Sequence, residues 1–420
     1  MIAHKTVAIL FLALVLTSLV FLSFHHVYFT HLRVDIYGQY LGHAKSFLEN
    51  HNFAHIGYNE YQPVAVMFFG ALSPALKLPG DQVINYVEAL YIANIIFAII
   101  GAFLIYAYTR NYTNIFIYAL VLLFTGPIIL HRFELLVFDL IALGLLFFVG
   151  GRVFLAGTMM GIATLTKIYP ILFVPYLLYV SLKGSHPLKK SLSFMGGCII
   201  GVAIVLFLFL VVFQANPTKI RSDLKLHELK PVHAESVWAS AITLHNRWVN
   251  GIETKGAGDI GIFGIRREDT ILPKWVFNYS WMVLIAILYI FLFVKTRKQQ
   301  PFRMSPNFIY LIMLLFLMSS KIVAAQYLMW FSLIFCLQII PTQENHLKHW
   351  IVDLFLILLA AFLSQFIYPL NYDAFLGYYT QGTHPEMFWI LALRNLILAV
   401  LFISAFISFW KEHKKQATVS

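Results

Sequence analysis

The chain has 420 residues, of which 60% are hydrophobic, 16% aromatic and 12% charged. Soluble domains carry about 25% charged residues, so the composition excludes a soluble globular protein and indicates an integral membrane one. The net charge of +11 is largely topological, and nucleic acid is not an expected partner.

Apolar runs recur at the length a helix needs to cross a hydrocarbon layer of ~30 Å. Strand alternation of the outer-membrane-barrel kind is absent. The expected fold is therefore an all-α polytopic membrane protein. In chain order the predicted spans are 6–25, 83–108, 114–130, 133–149, 153–166, 168–182, 191–213, 275–294, 304–318, 322–341, 350–368 and 386–410, about twelve helices within a range of ten to thirteen. The first run, with Lys5 ahead of it, lacks a small-residue cleavage site and is expected to stay as an uncleaved span. Between the first two spans, 26–82 reads as an outer loop. It holds an interfacial helix, with Ile36, Tyr40, Ala44, Phe47 and Leu48 on one side and His43, Lys45 and Glu49 elsewhere. A short segment follows, Val64–Leu78, interrupted by Gly70 and Pro74, that is re-entrant or interfacial. A second large outer loop covers 215–274, and the whole 1–420 reads as one transmembrane domain. Cys198 and Cys336 both fall inside apolar runs, so no disulfide is expected.

Charge fixes the expected orientation. With a cytoplasmic N-terminus, the short inner segments collect Lys5, Arg110, Arg152, Lys183, Lys189, Lys190, Lys295, Arg297, Lys298, Arg303, Lys348, Lys411, Lys414 and Lys415. The short outer segments hold only Arg33, Lys45, Lys77, Arg132, Lys167 and Lys321. Cytoplasmic loops carry such an excess of Lys and Arg, so both termini are expected on the cytoplasmic side of a plasma (inner) membrane. The polar clusters then fall on the extracytoplasmic face.

Asp35 is the leading candidate for chemistry: a carboxylate just beyond the first span, placed to accept a proton or, alternatively, to cap the following helix. Glu60, Tyr61, Gln62 and Pro63 close that loop. His131, Arg132, Phe133 and Glu134 form a turn between spans, in which Arg132 and Glu134 could simply pair, and Asp139 lies deeper with no basic residue within a turn. Lys167 stands at a helix break made by Pro170, where it can snorkel or meet a phosphate beside exposed backbone donors. His227, Glu228, His233 and Glu235 crowd the large loop, but their spacing matches no trusted zinc pattern, and no resident metal is expected. Lys321 with Gln326, Tyr327 and Trp330, and later Arg394 with Asn395, complete the set. Lys321, Arg394, Lys167 and Arg132 would place four cations around one outer cavity. Walker, Gly-x-Gly-x-x-Gly and His-Glu-x-x-His motifs are missing from the sequence.

In this order the clusters resemble the GT-C superfamily of membrane glycosyltransferases, most nearly the bacterial mannosyltransferase-like group, glycosyltransferase family 87. The resemblance runs from Val34 to about Asn395. It rests on Val34-Asp35-Ile36-Tyr37, on Glu60-Tyr61-Gln62-Pro63 (Gln62 departs from the family's Glu-Tyr-Pro-Pro), and on Ala156-Gly157 through Thr166-Lys167-Ile168-Tyr169-Pro170. It continues in His233 to Trp238, in Ala325-Gln326-Tyr327-Leu328-Met329-Trp330, and in Tyr368-Pro369 with Arg394-Asn395. The turn at His131–Glu134 departs from the Gly-Gln-Asn type expected there.

The resemblance implies a GT-C-like hexosyltransferase that takes a sugar from a polyprenyl-phosphate donor and passes it to a lipid, glycan or protein acceptor. Asp35 would be the base, with inversion at the anomeric carbon. Lys167, Tyr169, Arg132, Lys321 and Arg394 would bind the donor phosphate. Glu60, Tyr61, Glu134, His233, Glu235, Gln326 and Tyr327 would contact acceptor or sugar. No cofactor is then required, although some superfamily members use a divalent metal. The competing readings are a twelve-span secondary transporter and a polysaccharide ligase or flippase of the cell envelope.

Overall fold

The computed structural model describes residues 2–54, 61–218, 228–259, 262–270, 272–297 and 304–419. The described residues are mostly helical, with almost no strand. Six of the described helices are long and apolar enough to cross a membrane: His4–Ser23, Gln82–Thr109, Pro187–Val212, Lys274–Thr296, Glu344–Leu370 and Pro385–Lys411. Shorter apolar helices lie at Pro63–Lys77, Tyr112–Thr125, Val153–Thr164, Tyr169–Leu182, Pro306–Ser319 and Ala325–Phe335. Each helix falls on an apolar run read from the sequence. The shorter ones fall well below the roughly 20 residues a span requires. The chain forms two compact units.

The first unit is drawn from the chain up to residue 218, apart from Leu120–Gly126. Gln82–Thr109 begins where Asp81 caps it, the carboxylate accepting from the amides of Val83 at 2.7 Å and Ile84 at 3.0 Å. It packs on Glu134–Val149, which packs on Val153–Thr164, which in turn packs on Pro187–Phe207. Glycine makes that last contact possible. A Cβ on Gly157 or Gly161 would overlap the carbonyl of Phe194 or Cys198, and one on Gly197 or Gly201 would overlap that of Phe154 or Thr158. Two Gly-x-x-x-Gly faces thus bring the backbones together, as expected where lipid removes the hydrophobic drive for helix association.

The loop after the first helix is itself helical. A wide turn at Ile36–Tyr40 runs into Leu41–Asn50, which packs against Pro63–Ala71. Ile36, Tyr40 and Ala44 are buried as expected. His43, expected on the other side, is buried as well and stacks on Phe69 at 6.0 Å. The wide turn, with more residues per turn than an α-helix, rotates the inward face by about one residue.

The second unit contains the rest of the described chain apart from Met304. Pro385–Val419 packs against both Pro306–Ser319 and Glu344–Gln365. The large loop contains more structure than its composition suggested. Ser236 caps the helix Val237–His245 through a bond from the Ala239 amide at 3.0 Å. Strands Gly256–Asp259 and Ile262–Ile265 pair antiparallel, with Gly256 opposite Ile265. This hairpin departs from the all-α expectation. Gly256 leaves room for the Phe263 ring, which would meet any side chain there. A core of Val232, Ala234, Ile242, Ile265, Phe277, Tyr379 and Leu391 joins loop, hairpin and helices.

Candidate functional site

In the first unit, Asp35 sits at φ −69°, ψ −32°, already helical, and its side chain makes no cap bond. The carboxylate instead meets Arg132, Oδ2 to Nη2 at 3.0 Å, and stays about one-third exposed (33%). Arg132 is nearly buried and also donates through Nη1 to the Leu32 carbonyl at 3.1 Å. One guanidinium therefore ties the turn between helices to the loop carrying Asp35.

Glu134 opens its helix two residues later and is buried against the Lys167 ammonium. Lys167 lies in the break between Val153–Thr164 and Tyr169–Phe173, with Nζ 5.0 Å from the Phe133 ring centre. Burial pulls that ammonium below the ordinary lysine value, and Glu134 opposes the shift. The pairing is thus Asp35 with Arg132 and Glu134 with Lys167.

Aromatic rings cluster around these pairs. Tyr40 stacks on Phe69 at 4.0 Å, Tyr61 stands edge-on to Tyr40 at 5.3 Å and to Phe69 at 5.2 Å, and Phe133 meets Tyr61 at 5.6 Å. Asp35 and Arg132 act electrostatically on both tyrosine hydroxyls, whose pKa values burial raises. The Tyr86 hydroxyl donates to the Phe69 carbonyl at 3.3 Å, which steadies one side. The Val64 amide donates to the Leu165 carbonyl at 2.9 Å, fastening the Pro63–Ala71 segment beside Lys167. Tyr169 is buried and feels the Glu134 charge.

In the second unit, Arg394 is fully buried against Glu235, Nη1 to Oε2 at 3.1 Å, and Nη2 donates to the Glu235 carbonyl. Nη2 also donates to Asn395 Oδ1 at 2.9 Å, and Asn395 donates in turn to Ser240 Oγ at 2.8 Å. His233 is anchored next to them, its amide donating to the Lys321 carbonyl at 2.8 Å. Its Nδ1 accepts from the Glu235 amide at 3.3 Å, and burial lowers its pKa to about 3. Lys321 is held by the carbonyls of Glu228 at 2.9 Å and Lys230 at 2.8 Å. Burial, then Lys274, brings its pKa down to about 8. Tyr327 stacks on Trp330 at 4.1 Å, and Gln326 is partly exposed in the short helix beside it.

Sequence reasoning assigned Arg132 and Lys167 to a phosphate. The structure joins each to a carboxylate, and joins Arg394 to Glu235 in the same way. Glu60 and His227 lie outside the described residues. Tyr40, Phe69 and Phe133 went unassigned, although Tyr40 stood on the expected inward face. Arg33 was counted only as an outer charge, yet it is 1% exposed. A cation one turn before an apolar helix was the signal available. No protein-family model matches this chain, and no curated protein matches it.

Proposed function

We propose that this integral membrane protein is a GT-C-like hexosyltransferase acting on the extracytoplasmic face. It would take a sugar from a polyprenyl phosphate and pass it to a lipid, glycan or protein hydroxyl. The observation that carries the reading is Asp35: a carboxylate freed from capping, oriented by Arg132, partly open, and set beside an aromatic cluster. The twelve-helix topology with both termini cytoplasmic belongs to the same proposal, and it rests on the charge distribution.

In the proposed step the acceptor oxygen attacks the anomeric carbon while its proton passes to Asp35. The bond from that carbon to the phosphate oxygen breaks with inversion, and the polyprenyl phosphate leaves. Arg132 and Lys167 stabilise the developing phosphate charge by shifting from their carboxylates, the kind of placed charge that lowers such barriers. Rings such as Tyr61 offer flat apolar faces to a sugar. Arg394 and Glu235 serve as a clasp that holds the large loop, with Lys321, Gln326 and Tyr327 in the same unit.

Asp35→Asn tests this. An amide keeps the shape but takes no proton, so transfer from a polyprenyl-phosphate sugar should fall by ~10²-fold or more, with donor affinity retained. Transfer within a few-fold of the parent would remove Asp35 as base. A transporter reading draws support from Asp139, buried within Glu134–Val149 with no hydrogen-bond partner for its carboxylate among the described residues. Intramembrane carboxyls often relay protons. Proton-driven solute uptake by reconstituted protein, lost in Asp139→Asn, would favour that alternative.

A further inference from the structure

We propose that Arg33 anchors an anion site for a phosphate group in the first unit. Its guanidinium is 1% exposed. Nη1 donates to the Tyr37 hydroxyl at 3.1 Å, while Nε and Nη2 have no hydrogen-bond partner among the described residues. Nε and Nη2 form one edge of the guanidinium, the fork that takes two oxygens of a phosphate or carboxylate together. A charge taken out of water is costly unless paired. Among the described residues Arg33 has no such counter-charge, since Asp35 is paired with Arg132 and Glu134 with Lys167.

The neighbours add no negative charge. Tyr91 and His131 are its next polar contacts. The His131 ring is held neutral by burial, its pKa lowered to about 3, with Arg132 and Arg33 acting in the same direction. Nδ1 donates to the Pro127 carbonyl at 2.9 Å, which leaves Nε2 to accept from the Tyr91 hydroxyl at 2.6 Å. The Tyr91 oxygen then accepts from the Arg33 guanidinium, so Arg33 has two neutral hydroxyls, of Tyr37 and Tyr91, for partners and no charge.

Arg33 is covered by side chains that are themselves partly exposed. Its guanidinium lies over the Phe29 ring, and Tyr37 beside it is half exposed. Val34 is more exposed still. This apolar cover suits a phosphate that arrives on a lipid chain. That the phosphate is the donor's rests on the transferase reading, whereas the anion site does not.

The test uses full-length protein in a micelle of neutral detergent. Its probes are a polyprenyl monophosphate, the uncharged polyprenol and inorganic phosphate. Arg33→Met should weaken polyprenyl-phosphate binding about 10-fold or more and leave polyprenol binding unchanged. Arg33→Lys, which keeps the charge but loses the fork, should fall between. The melting temperature of the ligand-free Met variant should equal or exceed the parent's, because an unpaired buried charge has been removed. Arg33-dependent binding of inorganic phosphate at similar affinity would identify a free anion as the ligand, and its absence would identify a lipid phosphate. Unchanged polyprenyl-phosphate affinity in Arg33→Met overturns the site. So does a Met variant that melts lower or does not fold, since Arg33 would then be a structural cation. Binding without any sugar transfer by the parent protein would defeat the transferase reading and leave the anion site standing.

Discussion

Lys167 and Glu134 constrain one another because Glu134 is 1% exposed. Lys167→Ala would remove the ammonium that faces that buried carboxylate, and breaking a buried pair costs about 3–5 kcal/mol. The variant should melt well below the parent, and Glu134→Gln in the same chain should restore most of the difference. A thermal-unfolding cycle over the four proteins measures this. Lys167 thus has a structural duty in addition to any contact with phosphate, so activity must be compared at matched stability. His233 gives a second residue-scale expectation. Its folded pKa of about 3 lies below the ordinary 6.5, so the unfolded chain binds the extra proton between these values. Its contribution to stability is complete above pH 6.5 and is lost as pH falls toward 3, by about 1.4 kcal/mol per unit. The slope of stability against pH between 6.5 and 5 should be shallower in His233→Gln, and an unchanged slope would show that another group sets it.

At the scale of elements, the contact between Val153–Thr164 and Pro187–Phe207 has no room for side chains at its four glycines. Gly161→Ala should already cost about 1–3 kcal/mol by overpacking, and Gly161→Leu should separate the helices. Gly196, which has open space around it, is the control, and its alanine variant should melt like the parent. Melting temperatures of the three variants in one detergent decide the point. This contact also shows what sequence can and cannot give. Hydropathy located the helices because burial in lipid selects apolar residues at every turn, and Pro63 marked where the segment after the first loop begins; the caps Asp81 and Ser236 were not read as such. Helix partners stayed hidden: apolar residues look alike whether they face lipid or protein, and only the facing glycines distinguish this pair. The hairpin and the helix Val237–His245 lay inside a loop whose charged composition masked them. At the site, Asp35 and Lys167 stood out because isolated charges are conspicuous in an apolar chain. Their partners are Arg132, about a hundred residues beyond Asp35, and Glu134, 33 residues before Lys167. No local pattern encodes such pairings.

For the molecule as a whole, the proposed orientation makes a direct statement about access. Cysteine placed at Asn250 or Lys255 should react with a membrane-impermeant thiol reagent in intact cells, and cysteine at Arg297 should react only after the membrane is opened. The native Cys198 and Cys336 are buried, so the background should be low. The reverse pattern would invert the orientation and remove the extracytoplasmic site with it.

The brevity of Val153–Thr164 has an effect on the bilayer itself. Twelve helical residues reach about 18 Å, well short of a hydrocarbon layer of ~30 Å. In the proposed topology its outer end, where Lys167 begins the next segment, would therefore lie below the plane of the headgroups. The lipid must thin there or water must enter, since a bilayer adapts to a short segment in these ways. A lipid phosphate drawn into such a depression would reach Arg33 and Lys167 without leaving its own leaflet. Transfer rates in vesicles of increasing acyl-chain length should consequently fall as the membrane thickens, even though no residue of the protein has changed.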